Sequence, residues 1–265
     1  MDFINAALLG IIEGITEFLP ISSTGHLIIA EHWLGERSEL FNVVIQAGAI
    51  LAVTLIYWKR IVSLLTGWSD PEARDYLQKI IVAFVITCVL GLIVKKMGFE
   101  LPTRITPVAW ALVIGGVWMI LAETVAARLP DRARITWTVA IAVGIAQIVA
   151  GVFPGTSRSA TTIFIAMLLG TSNRPAATEF AFLVGIPTMY AASGFELLSQ
   201  IKDGGIVHED WTALIVAVVF STVTAFIAVK WLLGFIQTHR FTSFAIYRLI
   251  FGGLLLALAS AGTLA

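Results

Sequence analysis

Apolar residues run along this chain in long blocks separated by short polar intervals, and six blocks, at 40–58, 76–94, 106–127, 176–199, 211–236 and 242–263, are long and nearly free of charge. A helix needs about 20 apolar residues to cross roughly 30 Å of hydrocarbon, so each block is read as a transmembrane helix. Two further apolar regions, 3–34 and 135–170, break near their middle: Pro20 precedes Ser22-Ser23-Thr24-Gly25-His26, and Pro154-Gly155 precedes Thr156-Ser157-Arg158-Ser159. Each half has only about 11 to 18 residues, too few for a comfortable span. Proline removes a backbone donor and disfavours helix in the residue before it, while a hydroxyl just beyond can cap a new helix. Helix, turn, helix is expected in both. Irregular backbone at membrane depth is tolerated only where protein buries it or it lines a wet cavity, so both regions are read as re-entrant hairpins.

Laid without a gap over 144–168, residues 10–34 align Pro20 with Pro154 and Ser23 with Ser157, and Gly10, Ile11, Ile29 and Leu34 also match. Three spans follow each hairpin, an odd number, which turns the second copy over. The prediction is an all-α polytopic membrane protein, one membrane domain over 1–265, with six transmembrane helices and two re-entrant helical hairpins in an inverted-topology repeat, 3–127 and 135–263. The hairpin tips then meet near the midplane. One face carries Lys59, Arg60, Arg74, Lys79, Arg128, Arg132, Arg134, Arg174 and Arg240; the other carries Arg37, Lys95, Lys96, Arg104 and Lys202. Basic residues collect in cytoplasmic loops, so the first face is expected to be cytoplasmic, with both termini and the mouth of the first hairpin outside.

Composition agrees with a bilayer as solvent: 58% of residues are hydrophobic and 13% charged, against about 25% charged in soluble domains, and the mean hydropathy is +0.92. A net charge of zero leaves no basic surplus for a nucleic-acid backbone, so no nucleic-acid partner is expected. Cys88, the single cysteine, lies in an apolar run and has no intrachain partner. Asp2 precedes the first apolar stretch and no Lys or Arg does; a cleaved signal peptide starts basic, so this segment is expected to be kept.

Candidate chemistry lies in the two breaks. Glu13 and Glu17 are four apart, which places their carboxylates on one helical face about 6 Å apart at Cβ, in an otherwise apolar segment. Two like charges in low dielectric share a proton or bind a cation, and Mg²⁺ or Ca²⁺ suits carboxylate oxygen. An interhelical polar contact is the plainer alternative. Ser22, Ser23, Thr24, Gly25 and His26 open the next half-helix, where backbone N–H groups and the helix dipole favour an anion. Ser23 is a candidate nucleophile, and His26, three residues on, its acid or base; simple capping would also explain the hydroxyls. The second break supplies Thr156, Ser157, Arg158, Ser159, Thr161 and Thr162. A guanidinium at membrane depth demands an anion, and its planar fork matches phosphate oxygens; an ion pair with Glu13 or Glu17 is the structural alternative. Asn42, Gln46 and Glu179 are read as interhelical hydrogen-bonding groups. Arg174, His32, His208 and His239 are read as interfacial, and Glu123 and Arg248, near span ends, as snorkelling or paired.

The segments 13–26 and 154–162, in this order and in these hairpins, closely resemble the two signature segments of the undecaprenyl-diphosphate phosphatase family, the bacitracin-resistance type. The similarity extends to 41–53 and 244–250. Ala160 departs from the pattern, which has Gly after Ser-Arg-Ser. The resemblance implies hydrolysis of a polyprenyl diphosphate lipid to its monophosphate, recycling the carrier of cell-wall polymers in the bacterial cytoplasmic (inner) membrane. It further implies a divalent cation, an outward-facing site and a homodimer. Carried over, Glu13 and Glu17 are metal-associated acids, Ser23 the nucleophile, His26 its acid/base partner, and Arg158 with Ser157, Ser159 and Thr162 the phosphate clamp, beside Ser22 and Thr24. Broken helices in inverted repeats also describe secondary transporters and lipid flippases, and fold alone does not separate the classes. A transporter, however, needs no nucleophile.

Overall fold

The computed structural model describes residues 3–98, 105–202 and 210–262; Asp2, Arg104 and His208, used above, lie outside the described residues. Those described form eleven α-helices and no strand: α1 (Phe3–Thr16), α2 (Ser23–Leu34), α3 (Glu39–Ile56), α4 (Trp58–Thr66), α5 (Pro71–Lys96), α6 (Ile105–Ala126), α7 (Trp137–Val152), α8 (Arg158–Leu169), α9 (Arg174–Lys202), α10 (Trp211–Thr238) and α11 (Thr242–Ser260). Six of them, α3, α5, α6, α9, α10 and α11, are long and apolar enough to cross a membrane. The protein is a multi-pass membrane protein. The interrupted regions give α1–α2 and α7–α8. The longest of these four, α7, has 16 residues, about 24 Å of helix against the roughly 30 Å of a hydrocarbon core.

Local signals set the boundaries. Ser38, Thr136 and Asp210 accept backbone N–H groups at the starts of α3, α7 and α10, as capping residues do. The fifth helix begins at Pro71 rather than at 76, because Asp70 caps it and proline suits its first position. The nine-residue α4 was not foreseen. Exposed Trp58, Lys59 and Arg60 form its first turn, and Leu64 is its one buried residue; a short helix with basic and aromatic residues beside a span is typical of a membrane interface.

Polar contacts fix which helix ends lie together. Glu123, ending α6, accepts from Arg174 Nε (3.0 Å), the Phe241 N–H (2.9 Å) and the Thr242 hydroxyl (2.8 Å), so α9 and α11 start beside it. Arg60 beyond α3 reaches Glu179 in α9 (3.0 Å), and Lys79 reaches the Ile135 carbonyl ahead of α7 (2.8 Å). The mouth of the second hairpin therefore opens at this end. At the other end Asn5 donates to the Leu34 carbonyl across the mouth of the first hairpin (3.0 Å), and Gln200 of α9 to Glu39 of α3 (3.2 Å). The two mouths face opposite ends of the bundle.

Gly10 and Gly14 hold the first hairpin in place. A Cβ on Gly10 would sit 2.2 Å from the Ala217 carbonyl oxygen, and one on Gly14 2.2 Å from Thr224 Oγ1. Small residues four apart let membrane helices approach backbone to backbone. On its other side α10 is tied to α3 by Ser221 to the Ile45 carbonyl (2.7 Å) and Thr222 to the Gly48 carbonyl (3.0 Å). With α1 set against α10, its remaining face, bearing Glu13, turns into the bundle.

Candidate active site at the hairpin junction

Ser22 (φ 72°, ψ 104°) and Ser157 (φ 67°, ψ 111°) are the two non-glycine residues with positive φ among those described, and each immediately precedes a short helix. Such a backbone costs of order 1–3 kcal/mol and persists only where its surroundings enforce it. The shared conformation equates Ser22 with Ser157, and so Ser23 with Arg158. That is one residue out of register with the gapless overlay. The second break holds one more residue between proline and helix, and Gly155, at φ 96°, absorbs it.

The two tips meet at Glu17. This buried carboxylate accepts from Arg158 Nη2 at Oε1, from the Ser23 hydroxyl at Oε2 (2.5 Å), and from Gln46 of α3 at Oε1 (3.4 Å). A second link runs from the Ser159 hydroxyl to the Leu19 carbonyl (3.1 Å). Gln46, read from sequence as structural, thus touches the central carboxylate. One turn earlier Glu13 is 1% exposed, and its Oε2 has no hydrogen-bond partner. A buried carboxylate oxygen without a donor is costly unless a proton or cation satisfies it. Among the described residues no three of His, Cys, Asp and Glu are grouped as metal ligands.

His26 is not on Ser23, contrary to the pairing read from their spacing. Its Nδ1 lies 2.7 Å from the Ser22 carbonyl and its Nε2 2.7 Å from the Tyr247 hydroxyl; the Ser23 hydroxyl has turned back to Glu17, its nearer acceptor. Thr24 is exposed. Ser157 caps α8 and meets the Ser159 hydroxyl at 3.1 Å. Ser159 and Thr162, expected in the clamp, direct their hydroxyl hydrogens to backbone carbonyls and are buried in the hairpin packing. In this arrangement they hold the tip together. Gln147 bonds Thr87 (3.0 Å) and Thr188 (3.3 Å) as interhelical glue.

Arg248 neither snorkels nor meets a carboxylate. Fully buried, it donates to the carbonyls of Thr156 (2.8 Å), Gly155 (2.9 Å), Ala111 (3.1 Å) and Leu112 (3.4 Å). It thereby fastens the second tip to α6. Its neighbour Tyr247 reaches the first hairpin, so α11 holds both. The available signal was an arginine inside an apolar span, which is seldom idle. An apolar groove of about 640 Å³ also runs between α6 and the second hairpin, past Trp110, Trp118, Ala142, Val149 and Phe153 to Thr156 at the tip.

The family described as Bacitracin resistance protein BacA matches residues 6–254. A protein of Rhizobium etli (strain CIAT 652) named undecaprenyl-diphosphatase is 71% identical over 265 residues, 100% of each chain. A protein of the same name from Xanthomonas euvesicatoria pv. vesicatoria (strain 85-10) is 63% identical over 255 residues, 96% of each.

Proposed function

The chain belongs to the bacitracin resistance protein BacA family, and from that premise we propose that it hydrolyses undecaprenyl diphosphate to the monophosphate and inorganic phosphate, recycling the lipid carrier of cell-wall polymers. The observation that carries this is Glu17, held between the Ser23 hydroxyl of its own hairpin and the Arg158 guanidinium of the other.

The contacts suggest a sequence of events. An arriving diphosphate draws Arg158 from Glu17, because its fork binds phosphate oxygens in pairs. Glu17, already bonded to the Ser23 hydroxyl, takes its proton. Ser23 Oγ then attacks the distal phosphorus, the bond to the bridging oxygen breaks, and polyprenyl monophosphate leaves; water later frees phosphate from the phosphoserine. Arg158, the first amides of α2 and α8, and the hydroxyls of Ser22, Thr24 and Ser157 meet the charge on the phosphoryl group. His26 serves as acid or base at the edge of this site.

Glu13 and Glu17 would hold a divalent cation, Mg or Ca. One or two carboxylates plus substrate phosphate are a common Mg²⁺ shell, and the unpartnered Glu13 oxygen fits that donor set. When bound, such a cation neutralises phosphate charge. The groove beside the second tip takes the polyprenyl tail. By the balance of basic residues we place the protein in the bacterial cytoplasmic membrane with the first hairpin and the active site opening outward. Assembly as a homodimer is part of the same proposal; crosslinking in membranes and cysteine labelling from outside test these two points.

The function itself is tested by phosphate release from undecaprenyl diphosphate by detergent-purified protein. Release with Mg²⁺ or Ca²⁺, lost with chelator and in Arg158→Ala, is expected. No release from the parent protein with either cation would sink the proposal.

A further inference from the structure

The contact between His26 and Tyr247 joins residues 221 positions apart in the chain, and nothing in the junction chemistry above requires it. On α11, Tyr247 and Phe251 are four apart and share a face. Both rings lie nearly parallel to the imidazole: Phe251 at 4.3 Å and 16°, Tyr247 at 5.7 Å and 5°. The stack fixes the plane of His26. Its edge is fixed by the two hydrogen bonds at 2.7 Å.

These bonds also set the tautomer. A carbonyl oxygen only accepts, so Nδ1, facing the Ser22 carbonyl, carries the hydrogen. The second nitrogen of the neutral ring then has a lone pair, into which the Tyr247 hydroxyl donates; if Nε2 gains a proton, that N–H donates to the tyrosine oxygen instead. The same two atoms stay bonded in both states. Next to Tyr247 on α11, Arg248 is the nearby charged group from that helix, and it is held by four carbonyls. On its own hairpin, Glu17 is engaged by Ser23 and Arg158.

We propose that Tyr247 is a positioning residue for His26: its hydroxyl holds the imidazole in the Nδ1–H tautomer and keeps Nε2 as the one nitrogen that exchanges a proton during hydrolysis. The inference rests on the phosphatase reading of the site. The Ser22 carbonyl, aimed by its positive φ, is the other half of the device.

Tyr247→Phe keeps the ring stack and removes the hydroxyl. A lost hydrogen bond to a positioned group is worth up to about tenfold, so kcat is expected to fall about tenfold with KM within about twofold, and the limb of the kcat–pH profile set by His26 should move. In a His26→Ala background the same change should have no further effect. Nitrogen NMR of histidine-labelled protein, assigned with His26→Ala, should show a single Nδ1–H tautomer in the parent and a mixture in Tyr247→Phe. That readout needs no activity, so it separates this inference from the phosphatase reading. Unchanged tautomer signals together with an unchanged pH profile in Tyr247→Phe would overturn it, as would an additive effect in the His26→Ala background.

Discussion

Replacing Glu17 with Gln keeps the shape of the side chain and removes its charge, leaving Arg158 without a counter-ion inside the bundle. Removing one partner of a buried pair costs about 3–5 kcal/mol. Here the side chains of Glu17 and Arg158 are 6% and 26% exposed, and solvent screening at Arg158 lowers the expectation to about 2–3 kcal/mol. Glu13 could replace Glu17 as partner only if α1 turned, which its close contact with α10 opposes. Each kcal/mol moves the melting midpoint of a chain this size by about 2–4 °C, so Glu17→Gln should melt about 4–12 °C lower in detergent. Adding Arg158→Gln removes the orphaned charge and leaves two amides able to bond each other. The double variant should return to within about 1 kcal/mol of the parent, well short of the sum of the two single shifts. Phosphate release should not return: both single variants and the double are expected to lose at least about 100-fold. Midpoints and release are measured on the same preparations. A double variant whose shift is the sum of the single shifts would refute the reasoning.

Ser23→Ala should abolish release and the trapping of labelled phosphate on the chain; near-normal turnover would instead assign the attack to water. Arg248→Gln removes a charged donor to four carbonyls and should destabilise by about 3–5 kcal/mol, with Arg248→Lys recovering only part, as thermal unfolding will show. Gly14→Ala places a methyl against Thr224 and Ser221; overpacking of this kind costs about 1–3 kcal/mol, and a midpoint equal to the parent's would count against the close α1–α10 seam. Ala142→Phe partly fills the groove. If the tail lies there, losing the burial of roughly 55 Å² of apolar surface raises KM about tenfold for the undecaprenyl substrate, while a three-isoprene diphosphate is unaffected.

The six spans were legible because a bilayer demands long uncharged runs, and the breaks because Pro20 and Pro154 each stand before hydroxyls in halves too short to cross. Meeting of the tips was foreseen from symmetry, and Arg158 from the cost of an unpaired guanidinium. Partner choice was harder. Spacing put Ser23 and His26 on one face, yet Ser23 found Glu17 in the preceding turn and His26 found Tyr247 on the last helix. Helical spacing reports which side chains share a face and says nothing of a hydroxyl arriving from 221 residues away. The register between the breaks was off by one because an overlay without gaps has no place for Gly155. Arg248 was misjudged for a related reason: its partners are backbone carbonyls, which no side-chain pattern reveals.

The glycine contact between α1 and α10 also bears on how the chain is made. The first hairpin leaves the ribosome early, but the helix it packs against comes much later; the contact between Ile11 and Thr224 spans 213 residues. At about 5–20 residues per second, the nascent segment waits roughly 10–40 s for its neighbour, and Glu17 waits for Arg158 as well. During that interval Glu13 and Glu17 belong to a hairpin that has Ser23 and Gln46 at hand but lacks both the α10 seat and the Arg158 guanidinium. Arg158 arrives first, the α10 seat next and Tyr247 on α11 last, so translation order itself keeps an unfinished enzyme without its full set of groups.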